Sequence, residues 1–162
     1  MASTVRPVRL VLTLLVAGAV VSVAGGALRR RLGGDEIVDR DDPRIDVRLA
    51  APTVVRGSVN VSMMRYPIAK PFCENIEAIA LGEGADALVM DMGSLSKATP
   101  KAGMYAMKRL RVLPLRRIAL LRGNRFMRAF AGVVLTLGGF PEFRFFDSED
   151  TAVQWASARR AA

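Results

Sequence analysis

The stretch that most constrains this chain is residues 87–103, ALVMDMGSLSKATPKAG. It opens on an apolar run that ends in the carboxylate Asp91, passes through a small polar loop, and reaches Thr99-Pro100, a hydroxyl N-cap followed by a proline at the first helical position. A short unbroken apolar run is the pattern of a strand buried on both faces, and such strands belong to parallel sheets whose crossovers are helices. The segment therefore predicts a strand feeding a helix, across a loop able to hold a ligand or a phosphoryl group.

The neighbouring segments extend that unit. Residues 46–50 and 53–61 are short β-branched runs of alternating polarity separated by Ala51-Pro52, which predicts an antiparallel pair. After Tyr66-Pro67 a helix is expected over residues 71–81, with Ile68, Phe72, Ile76 and Ile79 on one face, Glu74 and Glu77 outward and Gly82 as the stop. The helix opened by Thr99-Pro100 runs to Arg111, where Lys108, Arg109 and Arg111 complement the negative end of its dipole. Residues 116–122, RRIALLR, read as a further parallel strand, and Asn124 caps a helix over 125–137 with Phe126, Phe130, Val133 and Leu137 as its buried stripe. Residues 143–146 form the last strand. Asp147 then caps a final helix with Ala152, Trp155 and Ala156 inward and Arg159 and Arg160 at its end. The expected fold is α/β, a mixed, mostly parallel sheet of about five strands with about four covering helices.

Ahead of this domain, residues 10–28 contain no charge and are bounded by Arg9 and by Arg29, Arg30 and Arg31. A helix of that length rises about 1.5 Å per residue and approaches the ~30 Å hydrocarbon core of a bilayer. Residues 1–31 are thus expected to be a basic-flanked transmembrane helix, single-pass in the cell membrane, with the globular part in the cytoplasm. A secretory signal cleaved near Ser22-Val23-Ala24 is the rival reading, opposed by the three arginines just beyond it. Residues 32–44, polar and acidic, read as a linker, and residues 45–162 as the domain.

The inventory removes whole classes of chemistry. With no histidine and one cysteine, Cys73, there is no imidazole-activated nucleophile, no zinc site of the usual Cys/His kind and no disulfide within the chain. Charge is uneven: residues 1–31 carry +5, residues 32–94 carry −5 and residues 95–162 carry +9. A basic last third suits an anionic membrane surface. Nucleic acid is disfavoured, because no aromatic residues interleave with the bases and no docking motif is present.

Three segments carry a family resemblance: VMDMGSL at the buried strand, ATPKAGMYA at the following helix start, and RFFDSEDTAVQWA at the last strand and helix. Over residues 45–160 these resemble the SpoIIAA-like branch of the STAS domains, also labelled STAS/SEC14. The resemblance implies a non-catalytic regulatory or protein-interaction domain without a cofactor, working through a protein partner. In regulatory STAS domains a phosphoacceptor serine sits at the start of the helix after this strand. Counting from Asp91 the matching position is Lys101, which has no hydroxyl to accept the phosphoryl group of that switch, so the usual phosphoserine switch is not expected here, although Ser94, Ser96 or Thr99 offer hydroxyls nearby.

The residues expected to meet a partner or ligand lie where two parallel strands end beside helix N-termini: Asp91, Ser94, Ser96, Thr99 and Lys101 after one strand, Asn124, Arg125 and Arg128 after the next. Asp91 alone does not make a general base, since catalysis needs a second group of perturbed pKa beside it. The alternative to a protein partner is a small anionic or lipid-like ligand held between the sheet and a movable helix bearing Met104 and Met107.

Overall fold

The computed structural model describes residues 37–140 and 142–158. The expected membrane helix, residues 32–36 of the linker, and Arg159 and Arg160 lie outside the described residues. Among those described, no helix is long and apolar enough to cross a membrane.

The elements follow in the order β1 (Ile45–Ala51), β2 (Val54–Val59), β3 (Met63–Met64), α1 (Tyr66–Gly82), β4 (Ala87–Asp91), β5 (Lys97–Ala98), α2 (Pro100–Leu110), β6 (Arg117–Leu121), α3 (Arg125–Leu137), β7 (Phe143–Phe146) and α4 (Glu149–Ser157). One sheet of five strands runs β1-β2-β4-β6-β7, with β1 antiparallel to β2 and the rest parallel. The mixed, mostly parallel sheet with four helices is the expected class. Successive parallel strands are always added on the same side, so crossovers of one hand bring α1, α2 and α3 to the same face. There they bury Val55, Leu88, Ile118 and Leu120 under Ile68, Phe72, Ile76, Ala102, Met127 and Leu135. Gly57 is part of that fit: a Cβ there would lie 2.9 Å from the Phe72 ring.

α4 follows the last strand, needs no crossover, and takes the opposite face. Its Ala152 and Ala156 sit on Val54, Ala87, Val89, Ala119 and Leu121, small residues that let the helix approach the sheet closely. Arg117 fastens its end by donating to the Trp155 carbonyl, which also accepts the Ala158 N–H, and to the Ala158 carbonyl. The Trp155 ring lies against Phe146, with the Arg117 and Arg144 guanidinium groups 5.3 and 5.4 Å from its centroid.

Four local expectations are corrected. The first helix begins at Tyr66, not Pro71, because Pro67 falls in the first turn, where its missing N–H has no helical acceptor to lose. Pro71 is tolerated inside that helix and buried. On α3 the inward residues are Met127 and Leu135, while Phe126 and Leu137 are 60% and 65% exposed. The stripe is turned by one residue, because α3 carries apolar residues on several sides and the sheet selects Met127 over Phe126. Ser148, not Asp147, is the N-cap position of α4, and Asp147 pairs instead with Arg128. Finally, β3 and β5 form a separate two-stranded parallel ladder that the sequence pattern did not suggest.

The compact unit begins at Ile37. Val38 packs on the core, and the Arg40 carbonyl accepts from Asn75 on α1 at 2.8 Å. Asp42 accepts three bonds from Arg44, including its backbone N–H, and these hold its carboxyl down to about 2.

Candidate functional site: the carboxyl edge of the sheet

β4 and β6 are neighbours in full register, so the loops that leave them lie side by side. The loop of residues 92–99 is not slack. Ser96 and Lys97 donate backbone N–H groups to the Ser62 carbonyl, and Thr99 donates to Met64, so β3 and β5 staple the loop to the chain entering α1. Leu95 is buried beneath it, leaving Ser94 and Ser96 exposed. Thr99 caps α2 by accepting from the Ala102 N–H at 3.3 Å, and Asn124 caps α3 by accepting from Met127 at 2.8 Å. The Asn124 amide also donates to the Ser96 carbonyl at 3.3 Å, which joins the two loops.

Asp91 lies below this surface and is 6% exposed. Its Oδ2 accepts from Arg56 at 3.1 Å, its Oδ1 from the Gly93 N–H at 2.9 Å, and Arg122 engages both oxygens. Arg56, 7% exposed in β2, reaches further, to Asp46 Oδ2 at 3.0 Å and Ser58 Oγ at 3.1 Å. Its Nε stands 2.8 Å from Glu149 Oε1, outside hydrogen-bond direction, a charge pairing only. Arg48 also pairs with Asp46. Arg48, Arg56 and Arg122 therefore meet Asp46, Asp91 and Glu149 in a cluster of zero net charge. Arg122 adopts a left-handed backbone (φ +60°), followed by Gly123 at φ +84°, and that turn is what aims its side chain back over Asp91. The Asp91 carboxylate in turn pushes the Arg122 pKa up.

The expected site residues thus fall into three groups. Ser94, Ser96, Thr99, Asn124 and Arg125 share the surface over the sheet edge, and Arg125 forms no ion pair among the described residues. Lys101 turns toward α1, its Nζ 4.4 Å from the centroid of the Tyr66 ring, and Arg128 toward β7, pairing with Asp147 and donating to the Gly123 carbonyl at 3.2 Å. Asp91 is committed beneath them. Arg56, the centre of the cluster, escaped the sequence reading. Its signal was an arginine inside VVRGSV, a run otherwise suited to burial, two strand positions from the level of Asp91 on the adjacent parallel strand.

A second feature lies between the sheet, α2 and α3. It is a cavity of about 80 Å³, lined among others by Met64, Met92, Met107, Met127 and Phe130, with no charged residue in its wall.

An antiparallel pair leading into a parallel sheet, three helices on one face, a fourth on the other and a loop-capped helix after the central strand define an α/β domain with a SpoIIAA-like, or STAS, fold. No known family description matches the sequence, and neither does any curated protein. Solved structures do match. One is an uncharacterized Shewanella loihica protein of the DUF3478 family with a SpoIIAA-like fold (17% identity, TM-score 0.51, covering 69% of this chain and 91% of that one). Another is the anti-sigma factor antagonist SpoIIAA in its unphosphorylated form (13% identity, TM-score 0.51, covering 68% and 96%). At such identities the likeness establishes the fold.

Proposed function

We propose that this chain is a non-catalytic regulatory or protein-interaction domain, held at the cell membrane by residues 10–28, with the domain on the cytoplasmic side. Its contact surface is the carboxyl edge of the sheet: the 92–99 loop, the N-terminal ends of α2 and α3, and Ser94, Ser96, Asn124 and Arg125. The observation that carries this is the neutral cluster under the loop. Asp91, the one buried carboxylate of the region, has both oxygens engaged by arginines, so the edge presents a pre-shaped polar surface in which this carboxylate is already committed. The likeness in fold to a protein named as an antagonist of an anti-sigma factor, a role exerted on another protein, supports the same reading. With Lys101 at the matching helix start, the usual phosphoserine switch is absent from it. Capture of one partner by the wild-type chain and its loss with Ser96→Arg and Lys101→Glu is the expected result; equal capture by all three overturns the loop as contact surface. Membrane association that resists alkali and disappears on deletion of residues 1–28 tests the anchor.

The apolar cavity favours a second reading, a binding protein for a lipid-like ligand. Its wall suits an alkyl group and offers no partner to an anion. Native mass spectrometry that finds no co-purifying molecule rejects it.

A further inference from the structure

Residues 92–141 contain ten lysines and arginines and no acid. Five are engaged elsewhere: Arg109 by Glu77, Arg116 by Asp86, Arg117 by Glu142, Arg122 by Asp91 and Arg128 by Asp147. The other five, Lys97, Lys101, Lys108, Arg111 and Arg125, are exposed and form no ion pair among the described residues. Three of them share a ridge with Met104: Lys101, Met104, Lys108 and Arg111 recur at the three- and four-residue steps that keep one helix face, and all are exposed.

α3 supplies an apolar ridge beside this basic one. Phe126, Ala129, Val133 and Leu137 follow the same steps, with Phe126 and Leu137 mostly exposed. The two helices are in contact, since Gly103 leaves room for Phe130, whose Cζ would lie 2.7 Å from a Cβ at that position. Of seven large apolar side chains exposed among the described residues, Met104, Val112, Phe126 and Leu137 belong to α2, α3 or the turn after α2. Apolar side chains rimmed by unpaired cations mark a docking face. A second copy of the chain would bring like charges together on it. An anionic bilayer supplies what both ridges lack, phosphates for α2 and an apolar boundary for α3. The chain between the uncharged run ending at Leu28 and the domain start at Ile37 spans at most about 30 Å when fully extended, which keeps the domain beside a bilayer crossed by that run.

We propose that the α2/α3 face docks on an anionic lipid surface, with Phe126 and Leu137 entering the headgroup boundary and Lys108, Arg111 and Arg125 meeting lipid phosphates. This rests on the membrane attachment proposed above. The test uses the full chain carrying Phe126→Cys, labelled with an uncharged environment-sensitive fluorophore; Cys73 is buried and does not compete. In phosphatidylglycerol nanodiscs the label should shift to the blue and resist acrylamide quenching. In phosphatidylcholine, in high salt, or with Lys108→Glu and Arg111→Glu added, that shift should be lost. Equal quenching in the two lipids overturns the docking face, as does equal protection in both lipids and in detergent, which would mean that protein covers the label. Attachment is read separately by alkali-resistant flotation with phosphatidylcholine vesicles. A chain that floats but shows no lipid-dependent quenching keeps the anchor and loses the docking face; one that fails to float yet is protected on phosphatidylglycerol does the reverse.

Discussion

Replacing Asp91 by alanine leaves two guanidinium groups without their shared carboxylate, and the two are worth very different amounts. Arg56 is 7% exposed, and removing one partner of a buried pair costs about 3–5 kcal/mol, because the remaining charge stays desolvated. Asp46 and Glu149 still face Arg56 but are themselves about half exposed, so the lower end, about 3 kcal/mol, applies. Arg122 is the internal control. Its side chain is 53% exposed, which limits its pair with Asp91 to about 1 kcal/mol, and Arg122→Gly also relieves a left-handed residue worth about 1 kcal/mol. That substitution should come out near zero. The full chain is unfolded in urea and followed by Trp155 emission, reading the stability difference at a common slope. Asp91→Ala should lose about 3 kcal/mol, a large part of the ~5–15 kcal/mol that holds a domain folded, while Arg56→Met with Asp91→Leu should recover most of it. A loss for Asp91→Ala within about 1 kcal/mol of that for Arg122→Gly refutes the assignment of Asp91 and Arg56 as a buried pair that stabilises the sheet edge.

Two glycines should respond with opposite signs in the same assay. Gly123→Ala forces a side chain onto φ +84° and to 2.9 Å from Met92, costing about 1–2 kcal/mol, whereas Gly132→Ala, inside α3 with open space at its Cβ, should gain about 0.5–1 kcal/mol. Asn124→Ala should cost about 1 kcal/mol through loss of the α3 cap, and amide exchange should rise at Met127. Burial pushes the Cys73 thiol from its usual 9.0 up to about 12. The unfolded chain therefore loses this proton at lower pH than the native one, so Cys73 adds nothing to the pH dependence below pH 9 and lowers stability as pH rises from 9 toward 12. Cys73→Ala should flatten that slope, and maleimide at pH 8 should label the native chain only after denaturant is added.

Much of the fold was legible because β4 and β6 are compact apolar runs and two of the helices begin on a capping side chain. Thr99 and Asn124 stand where the sequence placed them. The errors have physical origins. Pro67 resembles a break yet is at home in a first helical turn. On α3, periodicity finds two apolar faces and cannot say which one meets the sheet. β3 and β5 are too short for any alternation to show. At the candidate site the sequence found the two loops, but the directions of Lys101 and Arg128 depend on Tyr66 and Asp147, partners distant in sequence. The ion cluster joins β1, β2, β4, α4 and the turn after β6, and no linear pattern announces such a meeting.

The placement of α4 bears on how this chain can be made. The face of the sheet that holds Val54, Ala87, Val89, Ala119 and Leu121 is assembled from strands already synthesised before residues 149–157 appear. On a ribosome adding about 5–20 residues per second, the nascent domain passes through an interval with one side sealed by three helices and the other bare. A chain interrupted in that interval displays a dry apolar plane flanked by the unpaired outer edges of β1 and β7, a template for other unfinished chains. Docking of α4 is the event that closes this sticky intermediate.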